Sequence, residues 1–571
     1  MQNTAWPARP LVLASVFGVV AYAIYLLTDN GPIADSLIAH WRLASAGGLG
    51  ACAISFGLCS SRQMLLKAML YSVLLGLLVA GISYWRLFTR WPEAWNFFSL
   101  AVALLIITPF FQASLASAWN NYSELHKQAW GNAVVLLLAL VFTGLSFGMA
   151  HLLAELFKLV GVDLLRDLLR KDVVNWILAG VAFGGSMGVL REHDNIIDAT
   201  LRLVQSVLSL LAAPLSIGLL VFIGTLPFTG LDSLWEATRN TSPIVFVCAA
   251  GAILLLNSVI RETDAGMNAS NVIRQSARAL AFCIAPLSAI AVVSIYTRVQ
   301  QYGWTPDRLW ASLICALLMF YGVFYLIAAF WGSKWSQRIR QLNLTLALFT
   351  AALALVLATP LLDFGLLSSK DQLQRFHSGQ SSVDDFDAVA LAFDFGPAGR
   401  RALESLDTSN NKALAIRVEN ALNSKNRWVA RSNQNTGESQ MQIEEKLQVR
   451  PSTATINEEL MEALQQHNIC NGDYCFFLME ESGKAGSAIS QNCQRKAEHC
   501  EVQVSRFKLC NDRWTKLRTG DCETYYANQT SEQKAQHKEQ DKAAAAGDVE
   551  VREVVLKQVF IGGEAVGQAF K

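Results

Sequence analysis

The chain has 571 residues, 52% of them hydrophobic and only 16% charged, with a formal net charge of +1. Soluble proteins average roughly 25% charged residues, so the composition is that of a membrane protein, and the lack of a concentrated basic face excludes nucleic acid as a partner. The average conceals two regimes: residues 1–363 carry 22 Lys and Arg against 17 Asp and Glu over long apolar runs, while residues 364–571 carry 25 against 29 and six of the eleven cysteines.

Runs of about 18–25 apolar residues match a hydrocarbon core roughly 30 Å thick. Eleven such runs predict spans near 11–27, 43–60, 64–84, 97–117, 131–157, 173–190, 203–226, 243–260, 277–297, 309–331 and 342–362, and the pattern is compatible with ten to twelve. Met1–Pro10 carries one arginine and Leu11–Leu27 is long enough to cross, so the N-terminus is expected to be a first span rather than a cleaved signal. The second span is diluted by Gly47, Gly48 and Gly50. The fifth is followed by Leu156–Lys171, whose Leu164, Leu165, Leu168 and Leu169 share a face and suit an interfacial helix. Pro109, Pro214, Pro286 and Pro360 fall in spans, where they kink helices or mark broken ones at a transport site.

Loops bearing Arg261, Arg274 and Arg278, and Lys334, Arg338 and Arg340, read as cytoplasmic under the positive-inside rule. With eleven spans the N-terminus is then cytoplasmic and residues 364–571 lie outside. The expected architecture is mainly α, a polytopic helical bundle (1–363) followed by a small α+β extracytoplasmic domain (364–571), whose cysteine-bearing part covers about 460–571. Within that domain the pattern predicts a helix near 368–376, a turn at Gly396–Pro397 and a second helix. It further predicts a strand around Ala413–Val418, a helix over Ile456–Gln466, and strands at Tyr474–Glu480, Val502–Leu509 and Val551–Gly562. Residues 531–547 are low-complexity and solvated.

Several stretches carry a family resemblance: LLRKDVVNWILAGVAFGGSMGVLRE, the run from Ile223 to Glu262, RVQQYGWTPDRLWA (298–311), the span from Leu342 to Asp363, and DDFDAVALAFDFGPAGRRALESL (384–406). In this order the chain resembles the bacterial polytopic membrane proteins grouped as domain of unknown function 4153. The resemblance implies an inner-membrane protein of Gram-negative bacteria and implies no activity.

The tail cysteines Cys470, Cys475, Cys493, Cys500, Cys510 and Cys522 are even in number, which argues for disulfides, with sequential pairing the simplest of fifteen connectivities. A metal site is the competing reading, since His467 and His499 flank them, but C-x4-C and C-x6-C are poor zinc spacings. Cys52, Cys59, Cys248, Cys283 and Cys315 lie in spans and read as packing residues.

His151 and Glu155, four apart on the fifth span, share a helix face and are candidates for an ion or proton site. Asn257, with Asn175 and Asn343, reads as an interhelical hydrogen-bond partner. Gly180, Gly184 and Gly188 form overlapping G-x-x-x-G words, a packing face for a helix of this chain or of a second copy. Two outer loops combine aromatics with charges: Asp232, Glu236 and Arg239 in one, Arg298, Asp307 and Arg308 in the other. They read as interfacial anchors or as the place of an external function.

The sequence contains no nucleophile triad, HExxH, Walker A or Rossmann fingerprint, and no metal or cofactor is expected. The expected function is therefore non-enzymatic: a membrane-anchored binding or sensing protein whose partners are the lipid bilayer and a periplasmic protein or envelope ligand. A transporter or channel is the alternative, and an enzyme acting on lipid-linked substrates the third reading.

Overall fold

The computed structural model describes residues 6–29, 37–89, 94–230, 241–383, 385–409, 411–432, 447–451, 454, 456–467, 469, 475–480, 482–493, 500–510, 513–517, 557–561 and 564–570. They divide into two compact units, one of Met1–Gln380 with Asp394–Gly399, the other of Ser381–Phe393 with Arg400–Lys571.

The first unit is helical: α1 (Arg9–Thr28), α2 (Leu37–Cys59), α3 (Leu65–Thr89), α4 (Ala94–Ala116), α5 (Tyr122–Leu159), a short α6 (Leu164–Leu169), α7 (Asp172–Glu192), α8 (Asp194–Thr229), α9 (Thr241–Ile260), α10 (Asn271–Tyr302), α11 (Pro306–Ala329), α12 (Trp335–Ala358) and α13 (Phe364–His377). Among the described residues, eleven helices are long and apolar enough to cross a membrane, all of these except α6 and α13. This is a multi-pass membrane protein. At 1.5 Å rise per residue, the 38-residue α5 is about 57 Å long, well beyond the hydrocarbon thickness. Leu140, Leu145, Leu152 and Leu159 stay exposed along it, as a lipid-facing surface allows.

Glycine decides how the first helices meet. A Cβ at Gly180, Gly184 or Gly188 of α7 would lie 2.4–2.5 Å from Phe17 O, Leu13 O or Pro10 Cα of α1. The G-x-x-x-G face therefore packs on a helix of the same chain. Gly48 of α2 and Gly76 of α3 approach in the same way, each Cβ position falling under 3 Å from the other's carbonyl. One apolar cluster joins Leu13, Phe17, Ala53, Val135 and Met187 from α1, α2, α5 and α7. A larger one joins Leu256, Leu280, Ile284, Leu287 and Ile339 from α9, α10 and α12.

The prolines do not break their helices. Pro109 lies inside α4, Pro214 and Pro227 inside α8, and Pro286 inside α10, each helix continuing on both sides. Pro360 is a correction: α12 ends at Ala358, and Thr359 adopts extended backbone, the conformation a residue before proline prefers. The expected interfacial helix is also shorter than the leucine pattern suggested. Val160–Asp163 interrupts it, with Gly161 at φ +78°: Leu156–Leu159 is the end of α5, and Leu164–Leu169 forms the separate α6.

The second unit holds α14 (Ala388–Phe393), α16 (Lys412–Asn423) and α17 (Glu458–Gln466) with β1 (Leu447–Arg450), β2 (Cys475–Met479), β3 (Ala485–Cys493), β4 (Cys500–Cys510), β5 (Arg513–Lys516), β6 (Lys557–Ile561) and β7 (Glu564–Phe570), while α15 (Gly396–Glu404) begins in the first unit and ends in the second. The strand expected at Ala413–Val418 is instead the body of α16. Asn411 caps it, its side chain accepting from Leu414 N at 3.0 Å, and Leu414, Val418 and Ala421 fall on one buried face at helical spacing. The turn expected at Gly396–Pro397 sits at Asp394–Phe395, and α15 starts at Gly396, which has φ +63°. Pro397 then occupies the early position that suits its missing N–H.

Five strands form one sheet in the order β1-β2-β3-β4-β5, parallel between β1 and β2 and antiparallel elsewhere, and β6 pairs with β7. Leu460 and Leu464 of α17 cover Phe477, Phe507 and Trp514 of the sheet. The central strand β3 was not legible from its sequence, AGSAISQNC. The pattern predicted no element there; a Cβ on Gly486 would lie 2.5 Å from the Phe477 ring, so the packing demands glycine at that position. The part of the expected 551–562 strand that is described is β6, while residues 531–547 lie outside the described residues.

Candidate functional site

Antiparallel alternation brings the starts of α1, α3, α5, α8, α10 and α12 and the ends of α2, α4, α7, α9 and α11 to one end of the bundle, here the N-terminal end. Every helix that stops there leaves carbonyls without intrahelical partners and about half a negative charge. Arginines answer this repeatedly. Arg340 of α12, 7% exposed, donates to Ile260 O at 2.7 Å and Arg261 O at 3.1 Å, at the end of α9, and to Asp264 Oδ1 at 2.6 Å. Arg278 donates to Ala329 O at the end of α11, at 2.9 Å.

The opposite end uses the same device. Arg86, buried, donates to Thr359 O at 3.1 Å and to Asn96 Oδ1 at 2.7 Å, and Asn96 donates to Leu357 O at 3.0 Å. Arg308 donates to Tyr302 O at 3.1 Å and Gly303 O at 2.7 Å, its guanidinium 5.4 Å from the Tyr302 ring. This gives the word YGWTPDRLW its structural meaning. Gly303, at φ +73°, closes α10; Thr305 caps α11 through Arg308 N at 3.3 Å; Pro306 opens it; and Asp307 sits exposed in the first turn, where the dipole favours it. Trp304 N donates to Asp371 Oδ2 of α13 at 2.7 Å. Arg298 is exposed on the last turns of α10. Asp232, Glu236 and Arg239 lie outside the described residues.

A partly buried polar chain crosses the bundle near its N-terminal end. Asn343 of α12 donates to Asn257 Oδ1 of α9 at 2.6 Å and to Tyr122 OH of α5 at 3.1 Å, and accepts from Tyr325 OH of α11. Asn257 donates to Tyr325 OH at 3.2 Å. Tyr122 OH also meets His126 Nδ1 at 3.3 Å, and Gln205 Nε2 of α8 meets His126 Nε2 at 3.2 Å. A neutral His126 protonated on Nδ1 satisfies both contacts. Five helices are thus joined by side chains that leave no ionised group in the chain.

His151 and Glu155 stand apart from all of this. Both are exposed on α5, and Glu155 pairs with Lys158 at 3.8 Å. Cys59, Cys283 and Cys315 are buried, and with Cys52 and Cys248 they are free thiols. In the tail, Cys493 and Cys500 face each other in the β3–β4 ladder, Cys475 opens β2 and Cys510 ends β4, whereas Cys470 and Cys522 lie outside the described residues. Among the described residues no group of three or more His, Cys, Asp and Glu side chains could hold a metal ion.

A charged pocket of about 300 Å³ lies at the end of α2. Two guanidiniums converge on that terminus: Arg9 of α1 donates to Ser60 O, and Arg191 of α7 donates to Leu58 O. Arg9 also donates to Arg191 O at 2.8 Å. Gln112 of α4 donates to Leu58 O at 2.8 Å and exchanges amide hydrogen bonds with Asn132 of α5. Lys127 and Glu124 of α5 complete the charged lining. Sequence reasoning did not single out Arg9, Gln112, Asn132 or Arg191. Their signal was available: each lies near the same end of its span once the spans alternate in direction.

A family model described as a domain of unknown function (DUF4153) matches residues 11–406. No curated protein and no solved structure matches the chain.

Proposed function

We propose the following reading for this chain, which belongs to the family of domain of unknown function 4153: it is a non-enzymatic inner-membrane protein of a Gram-negative bacterium that anchors a periplasmic binding or sensing domain. Its N-terminus is cytoplasmic, and the tail cysteines form disulfides. The observation that carries the reading is the use made of polar groups within the bundle. Asn257, Asn343, Tyr122 and Tyr325 bond one another, and Arg86, Arg308 and Arg340 close helix ends. Such groups hold a bundle together rather than line a path through it. For the disulfides, Cys493 and Cys500 occupy directly opposed positions, where Cα separations of roughly 4.5–5.5 Å suit a bridge.

Transport is the second reading, favoured by the charged pocket at the end of α2. The two are separated with the full chain. Photo-crosslinkers placed in β5 should trap one specific envelope component in cells, and proteoliposomes should show no solute flux above protein-free controls. Flux without a specific crosslink would overturn the anchor reading in favour of transport.

A further inference from the structure

We infer that a slot between α4, α11 and α12 holds an acyl chain of a bilayer phospholipid as a resident part of the bundle. This goes beyond the tail-domain reading and does not depend on it. The slot is a cavity of about 90 Å³. Its lining runs from Trp95 to Val102 on α4, from Trp310 to Leu317 on α11 and from Thr350 to Leu357 on α12. Each stretch follows a spanning helix for about two turns, so the slot is about 10 Å long and parallel to the helices. An acyl chain in a bilayer runs in that direction.

The ends of the slot set its depth. At the end of the bundle opposite the N-terminal end, Trp95 and Trp310 stack with ring centroids 5.6 Å apart, and Phe364 meets Trp310 edge-on at 4.9 Å. Tryptophan favours the level where hydrocarbon gives way to headgroups, so the slot leads from that level into the hydrocarbon. At its deeper end Tyr321 OH meets Thr350 Oγ1 at 3.1 Å and joins α11 to α12. Trp95 and Phe98 on the α4 wall are exposed, so a chain enters sideways from the surrounding lipid.

Chemistry then selects the occupant. The two hydroxyls on the lining already donate within their own helices, Ser99 to Trp95 O at 2.9 Å and Thr350 to Leu346 O at 2.8 Å. A polar solute would give up its hydration for little in return. The rest of the lining is aliphatic and aromatic, with the small side chain of Ala354 leaving room on the α12 side. Left empty, these walls would lack dispersion partners. A hydrocarbon chain touching three helices gains closer packing than it finds among mobile lipids.

The test uses the full chain in nanodiscs made with a phosphatidylcholine that carries a diazirine part-way along one acyl chain. The protein is extracted into detergent, washed free of loosely held lipid, irradiated and digested, and the labelled residues are identified by mass spectrometry. Label is expected on the slot, at Val102, Leu313 or Leu353, and not on the exposed Leu140 and Leu145 of α5. Ala354→Phe fills the slot from α12 and Val102→Trp fills it from its partly exposed α4 wall. Each should abolish the retained label, and the second decides the matter if the first does not fold. Loss of all label on washing, equal label on α5, or label retained in a folded filling variant would overturn the inference.

Discussion

Asp264 follows the end of α9 and gathers three donors from the start of α12. Gln337 donates at 2.5 Å, Arg340 at 2.6 Å and Ser336 at 3.2 Å. The hydrogen bond from Gln337, then that from Arg340, holds its carboxyl below the usual carboxylate range. A carboxyl depressed in the folded state adds stability that is fully present above the unfolded value, about 3.9, and lost as pH falls through the depressed one. Melting of the purified protein between pH 6 and pH 3 should therefore fall more steeply for the native chain than for Asp264→Asn, which keeps an acceptor and loses the charge. Parallel curves would show that the ion pair contributes nothing. Asp264 is half exposed, so the difference is expected to be modest.

The α1–α7 contact shows how one element fixes another. The backbone oxygen of Leu13 lies where a side chain on Gly184 would begin, so only glycine lets the helices approach this far. Gly184→Leu should cost about 1–3 kcal/mol through forced separation. Gly185→Ala is the control, because its Cβ meets Ala14 at an ordinary 3.5 Å and should leave the melting temperature unchanged or slightly higher. Equal losses in the two variants would refute the packing account. The glycine spacing made this face legible in the sequence, as hydropathy made the spans. Other elements were hidden because their determinants are tertiary. Ala413–Val418 alternates like a strand until the cap at Asn411 and the buried face of α16 are seen. β3 carries no strand pattern in its sequence, and its Gly486 is selected by the Phe477 ring of the neighbouring β2. The pocket was hidden for a related reason: Arg9, Gln112, Asn132 and Arg191 come from four helices and meet only once α2 ends among them.

On the scale of the whole molecule, the arginines serve two purposes at once. On the proposed orientation, Arg278 and Arg340 lie at the cytoplasmic end of the bundle, as the positive-inside rule favours, and the same side chains close the ends of α11 and α9. On that orientation, eleven crossings place the tail outside the cytoplasm, in surroundings where cysteines oxidise. Residue-resolved labelling of intact cells with a membrane-impermeant maleimide tests orientation and redox state together. The account predicts that Cys493, Cys500 and Cys510 resist the reagent until a reductant is added, and are then labelled without permeabilising the inner membrane. Labelling that needs no reductant and appears only after the inner membrane is opened would contradict it.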